Sequence, residues 1–210
     1  MRNYIILVLI SFIGSSVLYL YKAPGATEVY QSPETIQSYK NQYALGCSPN
    51  LSAINFSDSA NIIPLLEGWG KHRMPVTVTN DSAAIYFQQG INMYYGFHII
   101  EALASFEKAV QFDESFAMGH WGKALAYGPN INDFGYAASP EALAAVQKAS
   151  ELCSNCTPVE KALIAAMQTR YSTDTTQTRV YLNELYAAAM KEVHKNFPQS
   201  GDAAALYADA

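Results

Sequence analysis

Apolar residues recur every three or four positions from residue 81 to the end of the chain, as in Leu103, Phe106 and Val110. This is the period of an amphipathic α-helix, whereas the alternation typical of strands is missing and MPVTVT at 74–79 is the only strand-like run. The pattern predicts an all-α domain over 81–210. Its seven helices are expected near 81–97, 99–112, 115–128, 140–152, 158–171, 176–196 and 202–210.

Short polar motifs mark several helix starts. The run TPVE at 157–160 is a capping box with proline at the first helical position. Ser139 stands before a similar proline start, and Asp113 and Asp202 are expected to cap two further helices. Pro198 is expected to end the long helix before it.

An uncharged apolar run, YIILVLISFIGSSVLYLY, precedes the helical domain between Arg2 and Lys22. It meets the lower limit for a bilayer span of about 17–25 residues. Residues 1–22 are therefore predicted to be an uncleaved membrane anchor, with a cleaved signal peptide as the alternative. Because the chain start is the more positive end, the rest of the chain is expected to be exported, in a periplasmic or other extracytoplasmic location.

Residues 23–80 are rich in Ser, Asn, Pro and Gly, and they predict an irregular spacer. One short helix is expected in it. Ser32 can cap that helix, Pro33 suits its first position, and Gly46 can end it.

Four positions in the first two helices follow a spacing that suits close helix packing. Gly90, Ala102, Phe106 and Ala109 lie at intervals of 12, 4 and 3 residues. Small residues let two helices approach each other, and the aromatic ring fills the gap between them.

A shift of 34 residues carries the pattern into the next helix pair, where Ala124 and Tyr127 take the positions of Gly90 and Met93. Over 81–210 the chain thus resembles the tetratricopeptide repeat family. The run DESFAMGHWGKALAYGPNIN further resembles exported bacterial tetratricopeptide-like proteins of unknown function. The resemblance implies a superhelical array of antiparallel hairpins, here three and the start of a fourth, and a longer whole protein.

In that family the first helix of each hairpin lines a binding groove, so the resemblance also assigns a groove here. Its positions in the first two hairpins are mostly aromatic and carry no charge. They are Phe87, Ile91, Tyr94, Tyr95, Met118, Trp121 and Asn130. Such a lining suits a peptide held through apolar anchors. The alternative is that this stripe is core, covered by residues 23–80 or by a further part of the protein.

Charge narrows the class of partner. The net charge of -5 argues against nucleic acid as the partner, because phosphate binding needs a basic surface.

Charged residues make up 15% of the chain, against roughly 25% in soluble domains. Residues 82–100 contain none, so the first helix is expected to be covered by neighbouring helices, by the spacer or by a partner.

Two cysteines form a C-S-N-C run just before the capping box. In an exported protein, Cys153 and Cys156 favour a local disulfide that braces a hairpin junction. Two free thiols or a redox site are the alternatives, although a redox motif is expected at a helix start after a strand.

A metal site is only weakly indicated. His98 and Glu101 are three residues apart at a helix start, and His120 is a third candidate. A packed, hydrogen-bonded histidine is the simpler interpretation of His120, and no metal or other cofactor is expected.

Two functions remain. The first is a non-enzymatic scaffold in the cell envelope that binds a protein or peptide. The alternative is the N-terminal part of a larger exported enzyme or metal-binding protein whose active site lies beyond Ala210. No catalytic motif appears in the chain, which favours the first.

Overall fold

The computed structural model describes residues 60–61, 63–130 and 140–210, and within them it is all-α, without a strand. Seven helices follow residue 80 in these ranges. They are α1 (Asp81–Tyr95), α2 (Ile99–Phe112), α3 (Ala117–Tyr127), α4 (Pro140–Leu152), α5 (Pro158–Gln168), α6 (Arg179–Asn196) and α7 (Gly201–Asp209). The predicted all-α class is confirmed, and each predicted helix matches one of these within a few residues.

Several predictions fall on other parts of the chain. The N-terminal anchor or signal peptide at 1–22, the short helix capped by Ser32, and the Ser139 cap lie outside the described residues. Among the helices that are described, none combines the length and apolarity needed to cross a bilayer.

The run at 74–79 does not form a strand. It belongs to a segment that is neither helix nor strand, residues 63–80, that we call the strap. Its backbone groups bond to side chains of α1 instead of to a neighbouring strand, as at Met74 and Gln88. High strand propensity without a strand partner therefore gives no sheet here.

Two of the predicted helix caps are wrong. Asp113 follows α2, and its carboxylate accepts from Ser115 N at 3.0 Å and closes the turn before α3, whose N-cap is Phe116. At α7 the cap is Ser200, whose Oγ accepts from Ala203 N at 3.1 Å, while Asp202 lies inside the first turn.

The capping box at the start of α5 is confirmed, with Thr157 and Glu160 bonding to each other's backbone N–H. The next helix, α6, begins at Arg179 after the Thr178 cap, a few residues later than predicted.

Helices α1 and α2 run antiparallel, and so do α2 and α3. The start of α1 meets the end of α2, where Asn80 Nδ2 donates to the Phe112 carbonyl at 3.0 Å and the Tyr86 ring stacks on Phe112. The end of α2 then meets the middle of α3, where Lys123 Nζ lies 2.9 Å from Glu107 Oε1.

The third hairpin, α5 and α6, returns to the second one at the end of α5. Tyr171 donates its hydroxyl to the Ala124 carbonyl on α3 at 2.7 Å. The Arg170 guanidinium donates to the Pro129 carbonyl and lies 4.3 Å from the ring centre of Tyr186 on α6. One continuous core therefore joins all three hairpins.

All but one of the predicted packing residues lie within this core. A Cβ added at Gly90 would be 2.6 Å from the Phe106 ring, so only glycine allows α1 and α2 this separation. Ala102, Ala109 and Ala124 are fully buried. Tyr127 is half-buried, and its hydroxyl donates to Glu107 at 3.4 Å.

Candidate functional site

The predicted groove residues are mostly covered. Phe87, Ile91, Met118 and Trp121 have 0% of their surface exposed, and Tyr94 has 5%. The remaining two, Tyr95 and Asn130, are half-buried. These positions therefore form a covered stripe, as in the alternative interpretation, and not an open groove.

The strap forms one part of the cover, and amide side chains on α1 hold it. Gln88 accepts from Met74 N at 2.9 Å and donates to Met74 O at 2.8 Å. Asn92 makes the same pair of bonds with the backbone of His72. Each amide thus satisfies both backbone groups of one strap residue, as a strand neighbour would.

A third amide, Gln89, holds an earlier part of the strap. Its Oε1 accepts from Leu66 N, and its Nε2 donates to Pro64 O, both at 2.8 Å. These three polar side chains stand on a helix with no charge after its first residue, and they were not among the predicted site residues. They mark a helix that is covered by the strap backbone.

The last helix, α7, forms the other part of the cover. Tyr94 donates to Asp209 Oδ2 at 3.1 Å, and Tyr95 donates to Asp202 Oδ1 at 2.9 Å. His72 Nε2 also lies 2.7 Å from Asp202 Oδ1, so strap, α1 and α7 meet at one carboxylate. Burial raises the pKa of the Tyr95 hydroxyl, and the neighbouring Asp202 charge raises it further.

Buried polar groups remain beneath the cover. Arg170 is 4% exposed, and its Nε and Nη1 have no hydrogen-bond partner in the described part of the chain. Trp121 Nε1 is likewise without a partner there. The Arg170 charge is stabilised by the Tyr186 ring and by one backbone carbonyl.

A pocket of about 580 Å³ opens beside the cover, in the volume range of small-ligand and side-chain sites. The strap, α5 and the α6–α7 turn form its walls. The residues that line it are Met74, Pro75, Val159, Glu160, Leu163, Asn196, Phe197, Pro198, Gln199, Ser200, Gly201 and Asp202. None of them was predicted as a site residue, because they come from three segments that are distant in sequence.

Two of the lining residues are buried acids. Glu160 is 0% exposed, and its carboxylate accepts from Thr77 N and Oγ1 and from Thr157 N and Oγ1. Asp202 is 6% exposed and accepts from Tyr95 and His72. The capping box therefore stabilises the start of α5 and also holds the Glu160 side chain against the strap at the pocket wall.

Two of the three weak metal candidates approach each other, but the three do not form a site among the described residues. His98 Nδ1 lies 4.0 Å from Glu101 Oε2. His120, on α3, donates from Nε2 to the Glu114 carbonyl at 3.0 Å and is held as a packed histidine. Among the described residues, no group of three His, Cys, Asp or Glu side chains is arranged to hold a metal ion.

Cys153 and Cys156 form a disulfide across the short 3-10 turn, Cys153–Asn155, that follows α4. The bridge lies immediately before the Thr157 cap of α5. It braces the junction between the second and third hairpins.

Comparisons of this chain with protein-family models, with curated proteins and with solved structures give no match.

Proposed function

We propose that this protein is a non-enzymatic, tetratricopeptide-like scaffold of the cell envelope that binds a protein or peptide. The observation that carries the proposal is the open pocket at the edge of an otherwise covered helical array. The strap and the third hairpin both contribute to its walls, and most of the lining residues are apolar. An apolar pocket with a few fixed polar groups is the usual form of a recognition site.

The packing of the array supports the repeat assignment. Gly90 and Phe106 meet between α1 and α2, and Ala109 is fully buried, as the repeat spacing requires. Successive helices along the chain then pack against each other. Repeat arrays of this kind present extended surfaces that proteins use for binding partners.

The disulfide and the N-terminal sequence support export. A disulfide between Cys153 and Cys156 persists in oxidising compartments and is rare in the cytosol. The apolar run bracketed by Arg2 and Lys22 provides the means of export or membrane attachment. We therefore propose that the pocket faces the extracytoplasmic space.

Selection of peptides against the purified full chain tests the proposal. A random phage-displayed library is panned, and the enriched peptides are synthesised for affinity measurements. Gln199, an exposed residue of the pocket wall, is replaced in Gln199→Trp to block the entrance without disturbing the core. Gln147→Trp, on the exposed face of α4 and outside the pocket, is the matched control.

We expect enriched peptides to lose about tenfold or more in affinity for Gln199→Trp and to keep their affinity for Gln147→Trp. Absence of any enriched peptide would contradict the binding function. Peptides that bind both variants as tightly as the unmodified chain would contradict the assignment of this pocket.

A further inference from the structure

The charge of Glu160 is not balanced by a cation in the described part of the chain. All four of its hydrogen bonds come from neutral donors, namely the backbone N–H and hydroxyl groups of Thr77 and Thr157. These bonds orient the carboxylate and satisfy its oxygens, but none of them brings a positive charge to the pocket wall.

Asp202 adds a second negative group on another wall. The Tyr95 hydroxyl that donates to it is neutral, and the His72 imidazole is the one titratable base in contact with it among the described residues. No lysine or arginine is among the described residues that line the pocket. The nearby Lys195 points its ammonium at Glu192 on the exposed side of α6, 3.4 Å away.

The remaining walls are suited to an apolar body. Met74 and Leu163 are buried, while Val159, Phe197 and Pro198 contribute partly exposed apolar surface. A ligand that complements both the carboxylates and the apolar lining residues therefore combines a positive head group with an apolar stem. Lysine and arginine side chains have this composition, because they bury their methylene stems while the charged head group seeks a polar partner.

We propose that this pocket takes a lysine or arginine side chain of the bound peptide, together with an apolar residue beside it. This inference rests on the proposed peptide-binding function and names the chemistry of the partner. The carboxylates of Glu160 and Asp202 attract the cation, and the methylene stem lies against Leu163 and Phe197.

Three small probes of one shape and different charge test this without any mutation. They are 4-phenylbutylamine, 4-phenylbutanol and 4-phenylbutyrate, added to the full chain at about pH 8, where the free amine is protonated and the free carboxylate is ionised. Chemical shifts of the Met74 and Leu163 methyl groups report binding in the pocket. We expect the amine to bind about tenfold more tightly than the alcohol, and the carboxylate to bind most weakly.

Asp202→Asn removes one charge and keeps an oxygen to accept from Tyr95. Asp209→Asn is the matched control, since Asp209 lies on the same helix, accepts from Tyr94 in the same way and does not line the pocket. The amine is expected to lose about tenfold in affinity for Asp202→Asn and to be unaffected by Asp209→Asn, while the alcohol binds all three proteins equally.

Equal binding of the three probes to the unmodified chain would overturn the proposed preference for a cation, while the peptide-binding function would stand. The preference for a cation would also be overturned if the selected peptides lack lysine and arginine and still lose their binding in Gln199→Trp. Failure of every probe and every peptide to bind would overturn both proposals together.

Discussion

Single residues set the distance between the first three helices. The Phe106 ring is fully buried between α1 and α3, where Gly90 approaches it from one side and Gly122 from the other. Phe87 packs against the same ring at 5.5 Å between centroids. A ring enclosed in this way cannot move aside for an added methyl group, because the surrounding core is close-packed.

The first prediction concerns Gly122. A Cβ there would lie 2.5 Å from a Phe106 ring atom, so we expect Gly122→Ala to lower the free energy of unfolding by about 2 kcal/mol. The control is Gly201→Ala, because a Cβ at Gly201 has open space around it and alanine favours a helix by up to about 1 kcal/mol. Denaturant unfolding measures both, and equal stability of the two variants would contradict the packing argument.

Sequence spacing found part of this contact. It identified Gly90 and Phe106, because the intervals between small and aromatic residues repeat along the helix pair. It placed the next small residue at Ala124, which is buried, and passed over Gly122, which touches the ring. A fixed repeat period gives the average position of a contact, whereas the actual ring position depends on the local helix separation.

The helices could be predicted from the sequence more fully than the strap. The seven helices were predictable because each has its own apolar period, and some also have a start signal, such as the Thr157 capping box of α5. Cover by the spacer was one of the predicted alternatives, but the way the strap is held was not predictable, because its backbone bonds to helix side chains that have no repeating pattern. The only hint was the presence of Gln88, Gln89 and Asn92 on a helix with no charge after its first residue.

The second prediction tests how the strap is held. Gln88→Glu keeps an acceptor for Met74 N but loses the donor to Met74 O and introduces a buried charge. We expect the strap to detach more often, at a cost of about 2 kcal/mol. Trypsin should then cleave faster after Lys71 and Arg73, which are exposed strap residues.

The matched control for this experiment is Gln147→Glu, the same chemical change on the exposed face of α4. It should leave the cleavage rate after Lys71 and Arg73 unchanged. Equal cleavage rates in both variants would show that Gln88 does not hold the strap.

At the scale of the whole molecule, tyrosines join the strap, the array and α7 into one folded unit. Burial is the largest cause that raises the pKa of five of them. They are Tyr86, Tyr94, Tyr95, Tyr127 and Tyr186. The carboxylates of α7 raise the pKa of Tyr94 and Tyr95 further, because a second negative charge beside them is unfavourable.

This arrangement predicts how the protein responds to alkali. Folding keeps these hydroxyls protonated, since their pKa in the folded chain lies above the value of about 10 in the unfolded chain. Their contribution to stability is therefore fully present below pH 10 and falls as the pH rises beyond it, because only the unfolded chain releases these protons there. We expect the late part of tyrosinate formation, followed by ultraviolet absorbance, to coincide with loss of the helical circular dichroism signal. The same titration in denaturant should give one ordinary transition near pH 10. If all 15 tyrosines ionise while the helical signal stays intact, the ionisation of the five buried tyrosines does not depend on unfolding, and the prediction is contradicted.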